Sequence, residues 1–466
     1  MKFSLQLFII CTIWCILLAQ PAQGQTATKP SNGKTVTSYT VKKKDTLYGI
    51  ARKHDVTIPE LVAVNPGLAV DGSTVKKGDV LFIPEKQAAV PATYATANSN
   101  KQPTTSKQAA TSKHEGPVRI GVMLPLHAND GDGKRMVEYY RGVLMACENM
   151  KREGISTEIK AWNIDINSDI RLTLIQEGAR NCDVIFGPLY TKQVKPLADF
   201  CKIYDIKLVI PFSISAPDVN TNDHVFQVYQ SPSMIAEQSA TAFLSLFSNA
   251  HPVFIDCNDS TSQKGIYTAT LRKKLEEKGI TYNITNLKTS EESFAKAFDG
   301  GKKNVIVLNS SRSPELGKAL QRIEALRRVN PSLDVTFYGY TEWLMYVKTY
   351  ERQFHAFDTY IPTTFYYNET ASSTQLFERK YALSFGENMM YALPHFALIG
   401  YDQAQFFVRG ISKYGNSFRG NREENIYQPI QSPLSFEQIA PDAGMQNKTF
   451  MLIHYRTDGG LESLNY

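Results

Sequence analysis

From Val118 onward, short apolar runs alternate with longer stretches at helical spacing, and this alternation restricts the fold more than any other feature of the chain. Val118-Arg-Ile-Gly-Val-Met-Leu124 reads as a strand ended by Pro125, followed by a helix through Met136, Tyr140, Val143, Leu144 and Cys147. Thr157 to Trp162, Val184 to Phe186 and Lys207 to Ile210 are further strands, with helices over Ile170 to Ala179 and Val194 to Phe200. The rhythm restarts near His251. Pro252 to Asp256, Asn304 to Leu308 and Val335 to Tyr338 are strands there, with helices over Ile266 to Lys278 and Leu316 to Arg328. Such a pattern builds parallel sheets covered by helices on both faces. Two runs in tandem give two doubly wound lobes, with ligands held at the carboxyl ends of the strands in the crevice between them.

Four stretches carry a family resemblance: Val118-Arg-Ile-Gly-Val-Met-Leu-Pro-Leu126, Asp183-Val-Ile-Phe-Gly-Pro-Leu189, Val225-Phe-Gln-Val-Tyr-Gln-Ser-Pro232 and Gly400-Tyr-Asp-Gln-Ala404. On them, residues 117–466 resemble the type 1 periplasmic binding fold of branched-chain amino-acid receptors. The resemblance implies three crossings between lobes, near Gln230, near Tyr360 to Tyr366 and near Gln428 to Pro433. The first lobe is then about 117–230 with 366–428, and the second about 231–365 with 429–466. Thr449 to Tyr455 and Asp458-Gly-Gly460 read as a hairpin completing the second lobe. Cleft contacts fall on Tyr190, Ser213 and Ser215 in the first lobe and on Asn258, Asn309 and Ser310 in the second. Amino-acid receptors of the family place small hydroxyl residues where this chain has the bulky Leu189, Tyr190 and Phe212. The Gly-Pro-Leu form also resembles the binding-fold domain of outer-membrane lipoproteins that activate peptidoglycan synthases.

Before this domain lies a compact block, Tyr39 to Pro84. Ser38 to Lys42 is a short β run. Leu47, Ile50 and Ala51 recur at helical spacing behind Asp45-Thr46, which suits an N-cap. Thr57 and Glu60 form a capping box before Leu61 and Val64, and Asn65-Pro66-Gly67 stops that helix. Val80 to Ile83 is a second strand, ended by Pro84. Strand, helix, helix, strand makes a small βααβ unit, and the block resembles the LysM family of glycan-binding modules over its whole length. Lys44 departs from the family, which has Gly before the Asp. The resemblance implies an N-acetylglucosamine groove between Asp45, Thr46 and Leu47 on one wall and Asn65, Pro66 and Ile83 on the other. The overall class is therefore α/β: a LysM module at 38–85 joined to a two-lobed, doubly wound type 1 periplasmic-binding fold at 117–466.

The remaining segments concern delivery. Lys2, the apolar run Phe3 to Leu18 and Ala22-Gln-Gly24 read as a secretory signal at 1–24, cleaved near Gln25, which places the protein in the periplasm at the cell wall. Neither Cys11 nor Cys15 has the small preceding residue of a lipoprotein signal. Residues 25–37 are a short linker, and 86–116 collapse into Ala, Thr, Ser, Lys, Gln and Pro, a tether without core-forming residues. Nothing later reaches the length of a membrane span. Cys147, Cys182, Cys201 and Cys257 admit three pairings, and each also suits a buried free thiol.

The chain has 51 basic against 45 acidic residues, and no basic block interleaved with aromatics, so nucleic acid is not an expected partner. His-Glu-x-x-His, Gly-x-Ser-x-Gly and phosphate-loop motifs are all missing. Asp256-Cys-Asn-Asp259 lacks a nearby His and reads as a strand end. Asn129 to Lys134 fails the spacing of a calcium loop and reads as a turn at the cleft rim. The expectation is a non-enzymatic protein with no cofactor and no metal. Its partners are peptidoglycan and, at the cleft, an amino-acid or peptide ligand or a cell-wall enzyme.

Overall fold

The computed structural model describes residues 36–43, 50, 53–54, 56, 61, 64–65, 77–84, 114, 116–176, 178–212 and 216–466. The chain forms two compact units, Met1–Pro103 and Thr104–Tyr466.

In the first unit, β1 (Val36–Thr40) pairs antiparallel with β2 (Val80–Pro84), in a register running from Val36 opposite Pro84 to Thr40 opposite Val80. β1 starts two positions before the expected Ser38. Alternation sends Leu81 and Ile83 inward, where they meet Val41, Ile50 and Leu61 in a small core. The two helices expected between the strands fall largely outside the described residues.

The second unit begins with β3 (Val118–Leu124), α1 (Gly131–Arg152), β4 (Thr157–Asn163), α2 (Ile170–Leu174), β5 (Val184–Phe186), α3 (Thr191–Ile203), β6 (Lys207–Ile210) and β7 (Val225–Gln227). These strands lie parallel in the order β4-β3-β5-β6-β7. Two expectations are corrected here. The helix expected over Ile170 to Ala179 ends at Leu174. Asn129 to Lys134 is the start of α1 rather than a turn, because Asp130 caps it by accepting from Gly133 N at 2.7 Å.

The chain then builds a second sheet. Its elements are α4 (Pro232–Leu246), β8 (His251–Asp256), α5 (Gly265–Glu277), β9 (Asn283–Asn286), α6 (Glu291–Ala295), β10 (Asn304–Leu308), α7 (Ser313–Val329), β11 (Val335–Phe337), α8 (Val347–Ala356) and β12 (Thr359–Thr363). The parallel order is β11-β10-β8-β9, and a bridge from Tyr338 to Tyr360 links it to β12. β9 has no apolar run to announce it; half of it is exposed at the sheet edge.

Helices α9 (Ser372–Phe385) and α10 (Phe396–Tyr414) return to the first sheet, followed by β13 (Phe436–Gln438), β14 (Met445–Asn447), β15 (Met451–Tyr455) and β16 (Leu461–Asn465). α10 crosses α1 at glycine on both sides. A Cβ on Gly142 would lie 1.9 Å from Ala397 O, and one on Gly400 would lie 2.0 Å from Tyr139 O. This backbone-to-backbone approach lets α10 bring Phe407 onto Phe186 and Phe226 of the sheet, with Phe406 beside it against Phe418 and Phe436. β15 and β16 form the expected hairpin beside β12. Assignment of all of 429–466 to the second lobe is corrected: β14 pairs parallel with β7, and β13 pairs with β14, so both strands extend the first sheet. The chain crosses finally between Asn447 and Met451. Phe436 and Met445 belong to the aromatic core of the first lobe, and that burial decides the matter.

One buried carboxylate anchors the segment expected at the third crossing to α10. Asp402, inside α10 and 1% exposed, accepts from the backbone N–H of Ile430, Gln431 and Ser432 at 2.9, 2.9 and 2.7 Å and from Tyr427 Oη at 2.8 Å. Gln431 O in turn accepts from Tyr366 N at 2.9 Å, and Gln230 Nε2 donates to Thr449 O at 2.6 Å, so segments expected at the three crossings are bonded to their neighbours. Burial pushes the Asp402 carboxyl up to about 6, against the pull of its four donors. At the base of the second sheet, Asp358 is held down at about 2, chiefly by His454 Nε2 at 2.7 Å, with Lys303 Nζ at 3.0 Å. Cys147, Cys182, Cys201 and Cys257 are buried free thiols, each raised by burial.

Asp402→Asn places an amide nitrogen against backbone donors and should lower the unfolding free energy by about 3 kcal/mol in urea titration at pH 7. Asp358 has a depressed folded pKa, so its contribution is present above pH 4 and lost as pH falls from 4 to 2. Asp358→Asn should remove about 1–2 kcal/mol at pH 6, after allowance for solvent screening. It should also flatten the acid limb of stability below pH 4, measured as urea midpoints across that range.

Candidate functional site

In the first unit, Asn65 and Ile83 are the two described members of the expected glycan walls; Asp45, Thr46, Leu47 and Pro66 lie outside the described residues. Ile83 is 4% exposed and belongs to the small core. Asn65 is a clamp. Its Nδ2 donates to Leu61 O and to Phe82 O, both at 2.6 Å, and its Oδ1 accepts from Phe82 N at 2.8 Å. The side chain thus copies a strand partner for β2 and fastens the segment around Leu61 to it. Nearby, Tyr39 meets His54 edge-on with ring centroids 4.9 Å apart, and Lys53 Nζ lies 4.8 Å from the Tyr39 ring centre.

In the second unit the expected cleft contacts sit where strands end, but most are already occupied. Tyr190 caps α3 by position and donates to Asp132 Oδ2 at 3.3 Å; burial, then Asp132, pushes its hydroxyl up to about 12. Phe212 follows β6 and packs edge-on against Tyr139 of α1, and its ring also meets Phe396 of α10 at a tilt. That aromatic cluster occupies this part of the first-lobe wall, where the sequence resemblance implies small hydroxyls in a receptor. Ser213 and Ser215 lie outside the described residues.

The second-lobe contacts form an internal network. Asn309 donates to Asp256 Oδ1 at 2.9 Å and accepts from Cys257 N at 2.8 Å. Asn258, at φ 56°, donates through its side chain to Asn286 Oδ1 at 2.8 Å and through its backbone to Asp256 Oδ1 at 2.8 Å. Left-handed backbone of this kind favours Asn among residues with a side chain. Ser310 is fully buried and donates to Asp259 Oδ2 at 2.7 Å. Bonds from Thr261 and Ser310 hold Asp259 at about 2. These residues are brought together, but to shape their own loops.

A cavity of about 400 Å³ opens instead beside α4. Ile235, Tyr267, Tyr340, Met345 and Phe365 line it from the second lobe, and Leu393 and Pro394 close it from the segment before α10. Lys264 and Glu342 form a 2.6 Å ion pair at its wall, and Lys264 Nζ also lies 4.9 Å from the Tyr340 ring centre. The Tyr267 hydroxyl, buried there, makes no hydrogen bond of good geometry; Ser239 beside it donates to Tyr338 instead. Sequence reasoning missed these residues although the signal was present, since Tyr340 to Glu342 directly follow the strand ending near Tyr338.

Comparison with known proteins assigns the first unit. The family model described as "LysM domain" matches residues 39–84. Residues 39–84 are a LysM domain. Comparison with curated protein sequences gives no match. Among solved structures, a putative branched-chain amino acid ABC transporter protein from Rhodospirillum rubrum superposes with TM-score 0.51 at 13% identity, over 75% of this chain and 100% of that one. LpoA from Haemophilus influenzae gives 0.48 at 15% identity, over 76% of this chain and 60% of that one. A substrate-binding protein from Desulfitobacterium hafniense in complex with Leu gives 0.39 at 16%, over 75% and 100%. The first of these carries the fold: the large domain following the LysM domain has the two-lobed architecture of type 1 periplasmic binding proteins.

Asn65→Ala leaves the Phe82 backbone groups without partners inside the module. It should lower LysM stability by about 2 kcal/mol and melt that unit before the larger one in calorimetry.

Proposed function

We propose that this is an exported peptidoglycan-binding protein, in which the LysM domain fixes a two-lobed, solute-binding-like domain at the cell wall for ligand sensing or recruitment. The match of residues 39–84 to the LysM model is the observation that carries this reading. Asp45, Thr46, Leu47 and Pro66 are its proposed glycan contacts, with Asn65 and Ile83 supporting the groove from inside. The reading is non-enzymatic and uses no cofactor. The domain boundaries proposed with it are a signal at 1–24, linkers at 25–37 and 86–116, and the two-lobed domain at 117–466.

Two roles remain for the cleft, and different observations support them. The wedge of Tyr139, Phe212 and Phe396 favours a regulator that touches a cell-wall enzyme, because a receptor for a free amino acid needs open polar groups at that wall. The cavity of about 400 Å³ favours a receptor for a ligand with an apolar or aromatic body, delivered to an importer. Closure of the lobes about their crossings serves either role.

Two measurements test the proposal. Deleting residues 36–84 should abolish co-sedimentation with insoluble peptidoglycan, and undiminished sedimentation sinks the glycan assignment. Thermal melting of the full chain against amino acids, short peptides and muropeptides should show a shift of several degrees for one class if the cleft is a receptor. A flat panel with an intact melt leaves the regulator.

A further inference from the structure

Helix α4 separates two cavities. Pro232, Ile235, Ala236 and Ser239 face the cavity described above, whereas Met234, Glu237, Gln238 and Thr241 line a groove of about 1160 Å³. At about 100° per residue these two sets point to opposite sides of the helix. The groove is therefore a separate feature, on the side of α4 away from the cleft cavity. Its walls come from both lobes: Tyr427 to Gln431 and Phe436 from the segments of the first, Phe450, Ser463 and Asn465 from the second.

The groove runs along an open sheet edge. β16 ends the order β12-β15-β16 and has no strand beyond it among the described residues. Tyr466 N donates to Phe450 O at 3.0 Å, and Arg456 N donates to Gly460 O at 2.9 Å. Opposed antiparallel residues alternate between bonded and non-bonded pairs, so Leu464 and Glu462 are bonded to β15. Ser463 and Asn465 must then turn their backbone N–H and C=O outward, and these two residues line the groove. On the α4 wall, Gln238 donates to Lys448 O at 2.9 Å while its Oε1 is buried with no partner.

We propose that this groove binds an extended peptide segment of a partner protein, which adds as a strand to β16 and spans both lobes. Strand addition supplies main-chain hydrogen bonds from an exposed edge and pockets for alternate side chains, which is what Ser463, Asn465 and the flanking aromatics offer. The volume exceeds what a drug-sized molecule fills and suits a stretch of chain. Glu237, Glu423 and Glu437 line it together with Arg422 and Lys448, a mixture of signs that fits a peptide with both charges better than a purely anionic polymer. Because both lobes line the groove, an added strand would also bias their closure. This goes beyond the cleft reading and does not depend on it.

The test pans a phage-displayed random heptapeptide library on the full chain and synthesises the enriched sequences. Ser463→Pro removes one outward N–H at a position where proline leaves the β15 pairing intact. It should weaken the enriched peptide at least tenfold, whereas Ser463→Ala, which keeps the N–H, should leave affinity unchanged. Should Ser463→Pro fail to fold, N-methylation of alternate peptide amides gives the same reading: one set abolishes binding and the other does not. No enrichment, equal binding to Ser463→Pro, indifference to N-methylation, or displacement only by an N-acetylglucosamine oligomer each overturns the proposal.

Discussion

A buried carboxylate with four donors organises the two-lobed domain. Asp402 sits inside α10, where it could only be tolerated if its oxygens were fully engaged, and the donors that engage it are three successive backbone groups plus Tyr427. Those donors belong to a first-lobe segment that also takes the bond from Tyr366 N through Gln431 O, so one side chain fixes that segment against α10. α10 can be so placed because Gly142 and Gly400 allow its backbone to touch that of α1. Loss of either condition would move this segment relative to the sheet. Its raised pKa has a clear sign: the folded state takes up a proton at Asp402 as pH falls toward 6, and ionisation there costs stability as pH rises from about 4 to 6.

Around that frame, the two cleft walls differ in kind. The first-lobe wall is aromatic, with Phe212 packed against Tyr139 and Phe396. The second-lobe loops are polar but closed on themselves, since Asp256, Asn258, Asn286 and Asn309 satisfy one another. Space remains beside α4 on both of its faces. Open volume therefore lies away from the loop residues expected as cleft contacts.

Much of the architecture was legible from residue patterns. The strands at Val118, Val184, Lys207, Pro252, Asn304 and Val335 are buried on both faces and so read as continuous apolar runs. β9 was missed because an edge strand of Asn and Thr carries no such run. The small strands β13 and β14 were placed in the wrong lobe, because their sheet partner lies far away in sequence at β7. Among site residues, Asn65 shows the same limit: its type and position were visible, but its bonds to Phe82 were not.

The sequence alone determined the LysM block and the doubly wound character of the large domain, because both are written in local periodicity, caps and turn residues. Tertiary structure decided where each polar side chain in those elements points and what it bonds. Asn309, Ser310 and Asn258 follow strands, as ligand contacts do, yet the side chain of each is bonded to an acceptor from another loop. Local pattern fixes which face of an element is buried. Only the folded chain, by bringing distant segments within hydrogen-bond reach, fixes whether a group at the cleft is free to bind.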